Sequence, residues 1–169
     1  MRSPTTKPRA SWARSTERVE LLALYAEADV LVEGWTCGCS SATGTTPDCC
    51  DVAVIGREPY PTAVELEEVR LAMRGATVSA RDPRRLPLAD SRPCPLLSGD
   101  GRCRIYASRP LGCRTFFCDD AQAPSGERGR LPRRALNAIG RRIADLSARF
   151  DPHDPRPRSL LSALFPGAR

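Results

Sequence analysis

Eight cysteines in two groups of four constrain this chain of 169 residues more than any other feature. Cys37, Cys39, Cys49 and Cys50 form the first group, and Cys94, Cys103, Cys113 and Cys118 the second. A chain this long buries roughly 70% of the surface its unfolded form exposes, so it needs no covalent staples merely to fold. Its cysteine share exceeds that of an ordinary cytosolic protein but stays below the roughly 8–10% of a disulfide scaffold. The first twenty residues are polar and hold no apolar stretch of secretory type. No run of about 18 apolar residues offers a membrane span. The chain therefore reads as cytoplasmic, and in a reducing compartment clustered thiols point to metal rather than to disulfides.

Thiolates select zinc or the iron of iron–sulfur clusters. Four ligands per group suit either, and the expected cofactor is an iron–sulfur cluster or zinc at one or two sites. Which cysteines share a site stays open, because interleaved ligation is equally good chemistry. Adjacent Cys49 and Cys50 point apart on an extended backbone, so they share an ion only across a turn or helix start. The ferredoxin cysteine run, the Cys₂His₂ finger and the thioredoxin-type CxxC pair are all absent. Inert core cysteines and redox thiols are the weaker readings. Metal also changes how the charge is read. The formal net charge is +6, and eight thiolates holding two divalent ions would lower it to about +2. Lys7 is the single lysine among the basic residues, an arginine bias that is weak evidence for phosphate binding.

Along the chain, residues 1–14 lack periodicity and read as a flexible tail. A single cysteine-rich domain is expected over 15–150, with a proline-rich tail over 151–169 in which residues 159–165 form a docked helix. Val19, Leu22, Tyr25, Ala26 and Val30 predict a first helix from Ser15 or Thr16, stopped by Gly34. Thr62 and Glu65 make a capping box for a second helix with the apolar stripe Leu66, Val69 and Met73, ending at Gly75. Brief strands are expected at 51–56 and 76–80. A third helix over 133–150 places Leu136, Ile139, Ile143, Leu146 and Phe150 on one face, expected to dock on the cysteine lobe. Arg134, Arg141, Arg142 and Arg149 lie mostly elsewhere. The fold class is a small α-plus-loop fold organised by cysteine-ligated metal, with three principal helices; irregular α+β is the alternative.

From Cys94 to Cys118 the sequence CPLLSGDGRCRIYASRPLGCRTFFC resembles the YkgJ-like eight-cysteine cluster proteins, a family of zinc- or iron-chelating domains. The family pattern joins CP-x-L to C-x-I-Y-x-x-R-P and C-R-x-F-x-C. Cys94, Pro95, Leu97, Cys103, Ile105, Tyr106, Arg109, Pro110, Cys113, Arg114, Phe116 and Cys118 match it. The N-terminal signature of that family is C-x-x-C-x-x-C-C. Here Cys37 and Cys39 are one residue apart and nine residues precede Cys49 and Cys50, which marks a variant spacing. The resemblance spans roughly residues 34–118 and implies metal or cluster binding, with no particular reaction.

The residues beside the thiols fit that chemistry on physical grounds. Trp35, Tyr106, Phe116 and Phe117 lie within three residues of a cysteine and are expected to pack the lobe or shield its sulfur. Arg109 and Arg114 are expected to donate to thiolates or to loop carbonyls. The single histidine, His153, sits in a proline-flanked turn and reads as exposed. Glu65, Glu67 and Glu68 read as helix-surface carboxylates, with only Glu65 given a role, the cap. No nucleophile elbow, P-loop or dinucleotide fingerprint occurs, and whether the protein is an enzyme stays open. The function read from the sequence is cysteine-ligated metal binding with a redox or sensing role. The alternative is an adaptor or nucleic-acid-binding module with structural zinc, working through the basic C-terminal helix. The partner stays unknown: a protein partner is left open, and nucleic acid ranks lower because no aromatics interleave with those arginines.

Overall fold

The computed structural model describes residues 12–36, 50, 56–76, 94–98, 102–116, 122–126 and 130–165. The described residues form five α-helices and no strand: α1 (Thr16–Leu31), α2 (Ala63–Gly75), α3 (Leu111–Arg114), α4 (Arg133–Phe150) and α5 (Leu160–Leu164). Two 3-10 turns, Trp12–Arg14 and Tyr106–Ser108, precede α1 and α3. Extended pairing among the described residues is limited to the antiparallel bridges Thr36–Gln122 and Leu97–Cys103. The strands expected at 51–56 and 76–80 fall almost wholly outside the described residues.

The apolar residues divide into two clusters. The larger joins Trp12, Leu21, Leu24, Tyr25, Ala28, Val64, Leu136, Ile139, Ile143 and Leu146, so α1, α2 and α4 form a three-helix core. Each fully buried Leu or Ile there contributes about 1.5–3 kcal/mol. On α4 the periodicity identified the inner face: Leu136, Ile139, Ile143 and Leu146 are buried. That face packs chiefly on α1 rather than on the cysteine lobe, correcting the expected docking. The α1 face is also corrected. Leu21, Leu24, Tyr25 and Ala28 are buried, whereas Val19 and Val30 are 69% and 70% exposed. Both sets have helical spacing; the helix carries apolar residues around most of its circumference, and packing selects one side. The described structure begins at Trp12, inside the segment expected to be a flexible tail. Trp12, placed in the tail by its sequence neighbours, is 3% exposed and meets Phe150 edge to face at 5.2 Å.

The second cluster is smaller: Leu66, Val69, Leu96, Ile105 and Leu160, with Cys94, Cys103, Met73 and Phe165 packed against it. It lies where α2 meets the cysteine lobe and α5. The C-terminal segment runs alongside residues 58–61. Arg158 N donates to Pro61 O at 3.0 Å and Leu160 N to Pro59 O at 3.0 Å. Glu58 accepts from Ser159 Oγ and from Leu161 N, satisfying donors at the start of α5.

Helix α2 stands between the clusters, and its N-terminal end is tied down. The capping box forms as the sequence indicates, with Thr62 N donating to Glu65 Oε2 at 2.9 Å. Ala63 N donates to Ser147 Oγ at 3.0 Å, joining α2 to α4. Gly75 is the last helical residue rather than the stop beyond the helix.

Candidate metal centre

The second cysteine group is shaped by short-range backbone bonds. Cys94 O accepts from Leu97 N at 3.0 Å, Leu96 O from Arg104 N at 2.9 Å and Arg102 O from Ser98 N at 2.8 Å. This folds the chain back on itself and, through the Leu97–Cys103 bridge, sets Cys94 beside Cys103. Pro110, whose fixed φ suits a helix entry, caps α3, and its carbonyl accepts from the amides of Cys113 and Arg114. Cys113 thereby lies in the single turn of α3.

Two backbone ties join the first cysteine group to the second. Cys94 N donates to Cys50 O at 2.8 Å. Thr36, which immediately precedes Cys37, exchanges both amide bonds with Gln122, at 3.1 and 2.9 Å. The segment bearing the first group is thus fastened at both ends to the segment bearing the second. Gly34 prepares the Thr36 tie. Its φ of 74° belongs to the left-handed region, and a Cβ there would lie 3.1 Å from Pro124 Cγ.

Cys94, Cys103 and Cys113 carry free, half-buried thiols. Burial pushes the Cys113 thiol up to about 12, and repulsion from Cys94 and then Cys103 adds to the effect; Arg109 opposes it. Burial also raises Cys94, against a hydrogen bond from the Leu96 amide that favours its thiolate. Cys94 and Cys103 therefore lie close enough to Cys113 to oppose its ionisation. A bound cation reverses that balance. Soft sulfur donors, an amide directed at one sulfur and a guanidinium beside another fit zinc or iron. Among the described residues, no three His, Cys, Asp or Glu side chains converge closely enough to hold an ion. Cys37, Cys39, Cys49 and Cys118 lie outside the described residues.

The neighbours expected around the sulfur divide. Tyr106 is 64% exposed, so it is neither core nor a dry shield. Its ring instead supports the Arg109 guanidinium at 3.5 Å, while Arg109 Nε donates to Tyr106 O at 3.0 Å. Trp35 and Phe116 are half-buried, and Phe117 lies outside the described residues. Arg114 is buried, but its hydrogen bonds go to carbonyls and a carboxylate. Nε donates to Arg109 O at 2.8 Å, Nη2 to Ala107 O, and Nη1 to Asp29 Oδ1 and Oδ2 at 2.9 and 2.6 Å. With its guanidinium 4.2 Å from the centre of the Tyr25 ring, Arg114 fastens the 107–109 loop to α1.

From the sequence Glu65 has the cap alone and Glu68 no role, yet the two are only 4% and 2% exposed. The expectation of surface glutamates is wrong for both. Glu65 Oε1 accepts from Leu111 N at 2.7 Å and from Tyr25 Oη at 3.3 Å, while Oε2 serves the Thr62 cap. One carboxylate thus completes the entry of α2 and of the cysteine-bearing α3. Glu68 Oε2 accepts from Arg18 Nε at 2.7 Å and Trp12 Nε1 at 3.2 Å. Its Oε1 accepts from Ser108 Oγ at 2.9 Å and Arg18 Nη2 at 3.2 Å. Burial alone would raise this carboxyl, but the bonds from Arg18, Ser108 and Trp12 outweigh it and hold it below its ordinary value. The helical spacing of Glu65 and Glu68 was a signal that they share a face; nothing local named their partners.

The basic face of α4 is partly neutralised. Arg142 pairs with Glu27, and Arg149 with Glu20 at 2.7 Å, both carboxylates belonging to α1. His153 is exposed, as expected. Among the described residues, no helix is long and apolar enough to cross a membrane.

No curated protein and no solved structure shows significant similarity to the chain. The CxxCxxCC family, described as "Putative zinc- or iron-chelating domain", matches residues 39–127. The match takes in seven of the eight cysteines, beginning at Cys39 and leaving Cys37 just outside. It spans more than half of the chain and covers α2, α3 and the Cys50–Cys94 tie between the cysteine groups, so the chain belongs to this family of zinc- or iron-chelating domains.

Proposed function

We propose that the protein is a cytoplasmic metal-binding protein in which both cysteine groups supply thiolates to one joint centre, holding zinc or an iron–sulfur cluster at one or two sites. The observation that carries this reading is the pair of backbone ties, Cys50 to Cys94 and Thr36 to Gln122, at the two ends of the first cysteine segment. They support the two groups acting together rather than as separate modules. Cys94, Cys103 and Cys113 are ligands in this reading, and Cys37, Cys39, Cys49, Cys50 and Cys118 complete the set. Arg109 acts by charge on Cys113, and Glu65 and Arg114 hold the turn that carries it. The bound group supplies either a closed structural site, for zinc, or a centre able to change charge, for iron–sulfur. A redox or sensing role follows in the second case.

Anaerobic purification followed by metal and acid-labile sulfide analysis, with an optical spectrum, tests the reading. Metal at one or two sites is expected, and sulfide with visible absorption separates the cluster from zinc. Cys113→Ser should lose metal, since a hydroxyl is a poor substitute for a soft thiolate, while His153→Ala keeps it. Full metal content in purified Cys113→Ser, or none in the native chain, would overturn the assignment.

A further inference from the structure

Helix α1 has a second apolar face, on the side away from the core. Val19, Ala23, Ala26 and Val30 are all exposed, and Val19 and Val30 retain 69% and 70% of their accessible surface. Their spacings of four, three and four are those of a helix–helix seam. The order Val, Ala, Ala, Val is also a palindrome. Reversed about its midpoint, position 19 falls on 30 and position 23 on 26. A two-fold axis relating antiparallel copies sets position 19 against 30 and 23 against 26, so here valine meets valine and alanine meets alanine. The two alanines at the centre let helix backbones approach closely, and the valines at the ends close the contact.

The charges beside this seam fit the same arrangement. Along one edge lie Glu20 and Glu27, each bound to an α4 arginine, Arg149 and Arg142 respectively. Two copies of α1 packed antiparallel bring the Glu20–Arg149 pair of one copy alongside the Glu27–Arg142 pair of the other. Both rows carry both signs, so the like-charge penalty that bare glutamates would impose is absent. On the other edge, Asp29 is held by Arg114.

We infer that the outer face of α1 is a self-association surface, on which a second copy of this chain packs antiparallel across a two-fold axis with Val19 of each copy against Val30 of the other. The inference is independent of the metal reading, because it uses no cysteine.

Sedimentation velocity on the full, metal-loaded chain over a wide concentration range tests it. A concentration-dependent dimer is expected. Val19→Glu and Val30→Lys, each alone, should weaken it by about ten-fold or more, because each sets a charge against a valine. Both positions are exposed, so far-UV dichroism and metal content should stay unchanged. The double variant Val19→Glu/Val30→Lys should recover dimerisation, since every introduced Glu then meets a Lys; an equimolar mixture of the single variants should form the heterodimer. In a parallel pairing the same double variant would oppose Glu to Glu and Lys to Lys. A native chain that stays monomeric throughout, single variants that dimerise as well as the native chain, or a double variant that fails to recover overturns the inference.

Discussion

The two apolar clusters of this protein are built on different terms. The larger one draws on three helices of thirteen or more residues, and among the described residues its interior is aliphatic and aromatic side chains with no cysteine. The smaller draws on one long helix, the short α5 and irregular loops, and Cys94 and Cys103 pack at its edge. The first has enough buried apolar surface to hold itself together. The second is closed by backbone ties and, in the function proposed above, by metal. Helix α2 belongs to both, and two carboxylates on it, Glu65 and Glu68, reach across. Stability in this molecule is therefore expected to be regional, with a helical platform and a lobe that depends on its ligand.

The largest effect should come from striking the platform. Ile143 is 1% exposed at the centre of the helical cluster. Ile143→Asp buries a charge without a partner and should cost at least about 4 kcal/mol, enough to unfold both regions. Far-UV dichroism on heating measures it. Chelation under reducing conditions provides the contrast. It should abolish near-UV signals of the lobe while leaving most of the α1 and α4 helicity. Loss of all helicity on chelation would erase the distinction between the clusters.

A smaller effect should come from the strut between them. Glu68→Gln keeps the shape but removes the charge that faces Arg18, and should cost about 2 kcal/mol, moderated because Arg18 is partly exposed. The pH dependence has a definite sign. The folded carboxyl is held below its ordinary value, so its contribution is present above the unfolded pKa and lost as pH falls through the folded one. The difference in urea midpoint between native and Glu68→Gln protein should thus shrink as pH drops from about 5 to about 3. A difference that does not change with pH would show that the cost of the substitution does not come from the carboxylate's charge.

The smallest effect belongs to the surface. Arg142→Glu breaks an exposed pair with Glu27 and should leave the melting temperature and metal content nearly unchanged. A large drop in either would mean that the platform relies on its α1–α4 ion pairs more than on its apolar interior.

The sequence by itself determined those features whose cause is local. The inner face of α4 follows from one uninterrupted helical stripe flanked by arginines, so periodicity had a single solution. The start of α2 was legible because the Thr62–Glu65 box closes within one turn. The grouping of the cysteines, with the twelve matching positions between Cys94 and Cys118, pointed to the family before any geometry. What tertiary structure alone decided are choices with more than one local solution. Helix α1 offers two apolar faces of equal spacing, and only the approach of α4 buries Leu21, Leu24 and Ala28 and leaves Val19 and Val30 outside. Glu68 looks like a surface residue until Trp12, Arg18 and Ser108 arrive, the nearest of them 40 positions away in sequence. Arg114 donates to loop carbonyls, one of the two roles expected of it, but its carboxylate partner Asp29 lies 85 positions away and no local pattern named it. Periodicity and caps act through neighbours within a turn or two. A buried charge is stable only with partners that compensate its desolvation, and those partners are brought together by the fold.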